Sequence, residues 1–150
     1  MIEYLQQEWG DSVWVNSTIR TYTYNEIGNM IEEIGQIWYD IEWVNSALTI
    51  YNYDTNNFLI EENGYWWSDN DWANDHLLTY TYDINGNLTL WLYQSYINDN
   101  WVNWRLTTRE YDENNNITLI LEQIWMEDEW ENKDLYIYNY DDNNNRIESL

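Results

Sequence analysis

The aromatic and carboxylate side chains are the residues that could do chemistry in this 150-residue chain, with 12 Trp, 15 Tyr and 28 Asp or Glu. They are not scattered. Trp14, Trp43, Trp72, Trp101 and Trp130 stand 29 residues apart, and so do Tyr24, Tyr53, Tyr82, Tyr111 and Tyr140. Equivalent residues of successive strand pairs lie about 10 Å apart in a sheet. That is close to one disaccharide step of an extended β-linked glycan, so the two columns form a candidate face for stacking sugars. The alternative is that they pack the sheet, as large aromatics do in cores and interfaces generally. Asn16, Asn45, Asn74, Asn103 and Asn132 form a third column. Gln7, Gln36, Gln94 and Gln123 form a fourth, which Tyr65 interrupts. Amides there could bond sugar hydroxyls or satisfy backbone groups near a turn; the latter is the favoured reading.

Catalysis is not expected. His76 is the single histidine, and its column reads Thr18, Ala47, His76, Arg105, Asp134. A triad or a zinc site needs partners that this column does not repeat. Carboxylate pairs are plentiful, yet nothing singles out two of them as acid and nucleophile. Asp83, Asn85 and Asn87 resemble the start of a calcium loop, but Gln94 stands where an EF-hand needs Glu. No cofactor is expected, beyond calcium bound loosely between chains. The net charge of -23 repels phosphate backbones and anionic lipid surfaces, which excludes nucleic acid as a partner and disfavours membrane binding. No apolar run reaches the ~18 residues of a spanning helix, so membrane insertion is not expected. With no Cys and no Pro, there is neither a disulfide framework nor thiolate chemistry.

The constant interval defines what must position these residues. The chain divides into repeats 6–34, 35–63, 64–92, 93–121 and 122–150, with 1–5 as the end of a preceding repeat. It is read as a single array of one supersecondary unit. A Tyr-Asp-x-Asn-Gly-Asn element marks one turn per repeat. Its fourth position after Tyr reads Gly28, Asn57, Gly86, Asn115 and Asn144, the two residue types that accept a left-handed backbone. This predicts a three-residue hairpin loop, a type I turn followed by a bulge. A second short polar turn precedes each repeated Trp, as at Asp40-Ile41-Glu42; its type does not follow from sequence. The intervening segments alternate with period two and are rich in Trp, Tyr, Thr, Ile and Leu, as strands are. Strict alternation places Trp72, Asn74, Leu78, Tyr80 and Tyr82 on one packed face. The expected fold is all-β: a tandem-repeat antiparallel meander of ten or eleven strands, two per repeat, that is coiled, solenoid-like or stacked. Met1 falls in phase with Met30, so both ends of the chain are expected to lie in mid-strand, as in a segment of a longer array.

The Tyr80-Thr81-Tyr82-Asp83-Ile84-Asn85-Gly86-Asn87-Leu88 segment resembles the YD (RHS-type) repeat. With Gln-x-Trp before the acidic turn and Trp-Val-Asn after it, the longer unit is similar to tandem repeats of secreted Bacteroidetes-type surface proteins. The resemblance implies an extracellular or cell-surface β-strand array with no enzymatic activity of its own. The functional expectation is a structural protein, a filament subunit or adhesin shaft that self-associates through strand edges and aromatic faces. A polysaccharide-binding module using the Trp and Tyr columns is the alternative. A fragment of a YD-type shell is a third reading.

Overall fold

The computed structural model describes residues 2–149, so Met1 and Leu150, at which the array was expected to break in mid-strand, lie outside the described residues. Eleven antiparallel strands follow one another: β1 (Ile2–Gly10), β2 (Val13–Tyr24), β3 (Met30–Tyr39), β4 (Glu42–Tyr53), β5 (Leu59–Ser68), β6 (Asp71–Tyr82), β7 (Leu88–Ile97), β8 (Asn100–Tyr111), β9 (Ile117–Met126), β10 (Glu129–Tyr140) and β11 (Arg146–Ser149). Their order in the sheet is their order in the chain. The fold is an all-β antiparallel meander, and the chain clusters into two compact units, Met1–His76 and Leu77–Leu150.

Both predicted turns are present, and both are explained by their residues. In the Tyr-Asp turn the Asp83 carboxylate accepts the N–H groups of Asn85 and Asn87 at 2.9 and 2.8 Å. Gly86 N–H then closes on Asp83 C=O at 3.1 Å. Gly28, Asn57, Gly86, Asn115 and Asn144 all take positive φ, 61–92°, as the three-residue loop requires. The second turn is a two-residue one. Asp11–Ser12, Asp40–Ile41, Asp69–Asn70, Asn98–Asp99 and Glu127–Asp128 all have positive φ, 44–71°. That is the type I′ turn, whose twist matches the flanking strands. It is reached without any glycine, which is why the sequence concealed it.

The strict alternation read from the sequence fails at one point in each of β2, β4, β8 and β10. Asn103 faces Gln94, but Arg105 faces Tyr93, so Trp104 is an extra, unpaired residue. Ser17, Ser46 and Lys133 are extra residues in the same way. A bulge of this kind moves every later side chain to the other face. Trp101 and Asn103 therefore share their face with Leu106 and Thr108, opposite Leu92 and Leu90. Thr107, Arg109 and Tyr111, which stand 29 residues after Leu78, Tyr80 and Tyr82, belong to the reverse face.

The expected packed face does not amount to a core. Among the described residues only Ile19, Gly64 and Thr107 are buried. Large apolar side chains stay open to solvent, including Trp9 (63%), Trp14 (60%), Tyr39 (68%) and Trp66 (56%).

Candidate functional site

The structure gives each repeated column a local partner. The repeated Trp side chains meet a ring across each type I′ turn: Trp9–Trp14, Trp38–Trp43, Trp67–Trp72, Tyr96–Trp101 and Trp125–Trp130. Their centroids lie 4.9–5.2 Å apart and their planes cross at 64–72°. An edge-to-face pair of this kind contributes about 0.5–1.5 kcal/mol beyond its buried area. In the Tyr column, the hydroxyls of Tyr53, Tyr111 and Tyr140 donate to the backbone carbonyls of Met30, Leu88 and Ile117 at 2.8–2.9 Å. Each fastens the end of one long strand to the start of the strand before it. Gln7, Gln36, Gln94 and Gln123 donate to Asn16, Asn45, Asn103 and Asn132 at 2.8–3.0 Å, beside the bulge.

A ligand-sized cavity of the first unit lies elsewhere, in residues that do not repeat. Gly35 pairs with Ala47 across β3 and β4, and Thr49 pairs with Gly64 across β4 and β5. Three residues with little or no side chain thus adjoin one another on one face. Gly35 and Ala47 form the floor of a basin of about 310 Å³, at the small end of the range for ligand pockets.

The rim is polar. Arg20 donates to Glu33 at 2.6 Å, which fixes that carboxylate beside the floor. The Tyr51 hydroxyl donates to the other Glu33 oxygen at 3.4 Å. Burial first, then the negative charges of Glu62 and Glu33, push the Tyr51 phenol up to about 12. It therefore stays a donor at neutral pH. His76 closes the far side with Nδ1 2.9 Å from Asp75 and Nε2 4.0 Å from Glu62. Its ring lies flush on Gly64, so that a Cβ added there would fall inside the ring. Gly64 is thus needed for close approach and not for backbone conformation.

The same columns are filled differently in the second unit. Trp91 and Tyr93 stand where Glu33 and Gly35, and again Glu62 and Gly64, stand earlier in the chain. Arg105 takes the place of Ala47 and His76. The rings of Trp91 and Tyr93 lie 6.5 Å apart at 29°. Together with Leu78, Trp104 and Arg105 they line a cleft of about 420 Å³. Arg109, at the position of Tyr51, has a buried Nη1 without a hydrogen-bond partner.

Sequence reasoning treated His76 as incidental because its column varies, and it passed over Glu33, Tyr51, Glu62 and Arg20. The available signal was the departure from the repeat: two glycines, at 35 and 64, in a column that otherwise holds Gln6, Tyr93 and Glu122. Among the described residues, no cluster of three or more His, Cys, Asp or Glu could hold a metal ion.

No family model matches the chain, and no curated protein matches it by sequence. Among solved structures it is similar to a protein of unknown function from Bacteroides fragilis. That protein is 14% identical with a TM-score of 0.65, over 81% of this chain and 91% of the other. A DUF3836 family protein from Bacteroides vulgatus is 18% identical over 77% of this chain and 98% of its own, with a TM-score of 0.41. Another, from Parabacteroides distasonis, is 16% identical over 71% and 90%, with a TM-score of 0.37. At these identities the first likeness is one of fold alone.

Proposed function

We propose that this chain is a structural β-repeat protein that works by assembly, as a filament or adhesin-shaft subunit outside the cell. The observation that carries this reading is the missing core: three buried residues among the described ones, with Trp, Tyr, Ile and Leu left open on the strands. A sheet with an apolar face must cover it against another layer, and monomeric proteins rarely leave extensive apolar patches bare. Stacking on a second copy, or coiling of a longer array on itself, supplies that layer. The hairpin pattern supports growth along the sheet as well, because a further hairpin of the same sequence would extend the same pairing. Such a contact does not close on itself and makes an open-ended polymer. The net charge of -23 opposes it through self-repulsion, and salt screens that repulsion. Sedimentation velocity across a range of concentrations and sodium chloride should show mass growing with both. A monomer under every condition would contradict the reading.

A glycan-binding role is the second reading, and the aromatic cleft of the second unit favours it. Trp91, Tyr93 and Trp104, with Arg105, are not committed to turn pairs as the repeated Trp column is. A β-linked polysaccharide should shift the Trp emission of the chain and lose that effect in Trp104→Ala. An unchanged emission across β-glucans, xylans and chitin oligomers removes this reading.

A further inference from the structure

We propose that the basin over Gly35 and Ala47 is a binding site for a small hydroxylated amine, the chemical class of a single amino sugar. This inference rests on residues of the first unit and is independent of the assembly reading.

The size comes from the floor. A cavity of about 310 Å³ accommodates one ring-sized molecule and not an oligomer. The opening exists because position 35 is glycine, whereas the space above Gly64 is taken by the His76 ring. Gly35 has no positive φ, and the atoms nearest to an added Cβ are Ser46 Oγ at 3.4 Å and the Ala47 carbonyl at 3.8 Å. Nothing in the backbone therefore demands glycine there. What glycine provides is empty space.

The charge comes from the rim. Glu33 and Glu62 both lie close enough to the Tyr51 hydroxyl to raise its proton affinity, so the basin holds a negative potential where they converge. Arg20 balances Glu33, and the His76 ring stands 4.0 Å from Glu62. A carboxylate has about four lone-pair sites, and the contacts of Glu33 with Arg20 and Tyr51 leave it room for a further donor. An ammonium group satisfies that potential, and an anionic ligand would meet both carboxylates and the surplus negative charge of the chain. The hydroxyl preference comes from the remaining lining. Thr18, Ser46 and Thr49 supply hydroxyls and Gln36 an amide, and the Tyr51 oxygen, whose proton goes to Glu33, supplies an acceptor. Rings carrying several hydroxyls match such mixed donors and acceptors, and a plain alkylamine does not.

The test uses the whole chain and three sugars that differ in charge: glucosamine, glucose and glucuronate. Two-dimensional NMR should show saturable shifts at Gly35, Tyr51 and His76 with glucosamine. Affinity should fall about tenfold for glucose, and glucuronate should not bind. Ethanolamine, which keeps the amine but loses the ring, should bind at least tenfold more weakly than glucosamine. Glu62→Gln should lower glucosamine affinity about tenfold. Gly35→Tyr, which installs the residue found at position 93, should abolish it while the shifts of the second unit stay in place. If Gly35→Tyr fails to fold, Gly35→Ser tests the same filling with less bulk and should weaken binding several-fold. The proposal is overturned by the absence of saturable shifts around Tyr51, by equal affinity for the three sugars, or by binding that survives both Gly35 substitutions. Shifts spread evenly over the chain, the mark of counterion condensation, would overturn it as well.

Discussion

The two units of the chain share one set of turns and differ in what fills the columns between them. In the first unit, Gly35 and Ala47 leave a polar basin rimmed by Glu33, Tyr51, Glu62 and His76. In the second, Trp91, Tyr93 and Arg105 turn the same positions into an aromatic cleft. The Trp pairs at the type I′ turns, the Tyr hydroxyl bonds and the loops with a left-handed fourth residue occur in both. Residues that hold hairpins together are repeated because every hairpin has the same backbone needs. Residues between those fastenings are free to differ, and the difference makes two surfaces from one scaffold.

The shared scaffold gives the largest expected effect. Trp43→Ala in the first unit and Trp130→Ala in the second each remove half of an edge-to-face pair from half-buried positions. Each should cost about 2 kcal/mol, below the 3–5 kcal/mol of a fully buried aromatic. Urea denaturation should show equal losses; a large inequality breaks the claim that the scaffold is common to both units.

The filled columns give the next effect. Gly64→Ala drives a Cβ into the His76 ring and should cost about 1–3 kcal/mol as overpacking. His76→Ala should rescue it, because it removes the ring that the added Cβ would strike. Failure of the rescue would mean that Gly64 is needed for some reason other than contact with His76.

A smaller effect of either sign is expected at the type I′ turns. Ile41 carries a β-branched side chain at φ 71° and is 86% exposed, so it gains nothing from packing to offset a left-handed backbone. Ile41→Asn should stabilise the chain by about 1 kcal/mol, and Asp99→Ile at the matching turn of the second unit should destabilise it by a similar amount. Thermal denaturation of the two variants checks both signs.

The smallest effect is pH-dependent. Hydrogen bonds from Asn87, Asn116 and Asn145 hold the carboxyls of Asp83, Asp112 and Asp141 below their ordinary 3.8. A carboxylate depressed in the folded state contributes stability that is present above its unfolded value and lost as pH falls through the folded one. Loops of the second unit should therefore loosen below pH 3.8, and Asp83→Asn should remove that dependence at its own turn. The first loop carries Asn25 in this place and should not respond. Amide shifts of Gly86 and Gly28 across pH 2–6 distinguish the two.

Much of the fold was legible because turn chemistry is local. An Asp followed by a Gly or Asn three residues later dictates its hairpin whatever surrounds it, and the start of β7 and the end of β8 follow from that. The type I′ turns were not legible, since residues such as Ile41 and Glu127 give no sign of a left-handed backbone. The bulges at Ser46 and Trp104 were hidden too: an extra residue is a property of pairing, and two unrelated side chains fill it. That one residue put the reverse-face side chains on the wrong side. It also concealed the basin, because Glu33, Tyr51 and Glu62 gather only once the register is known.

Electron microscopy of the purified chain, at low and at high salt, with and without calcium, tests the central claim most directly. The account predicts open-ended filaments or stacked sheets that lengthen as salt screens the charge. Isolated particles of single-chain size in every condition would contradict it.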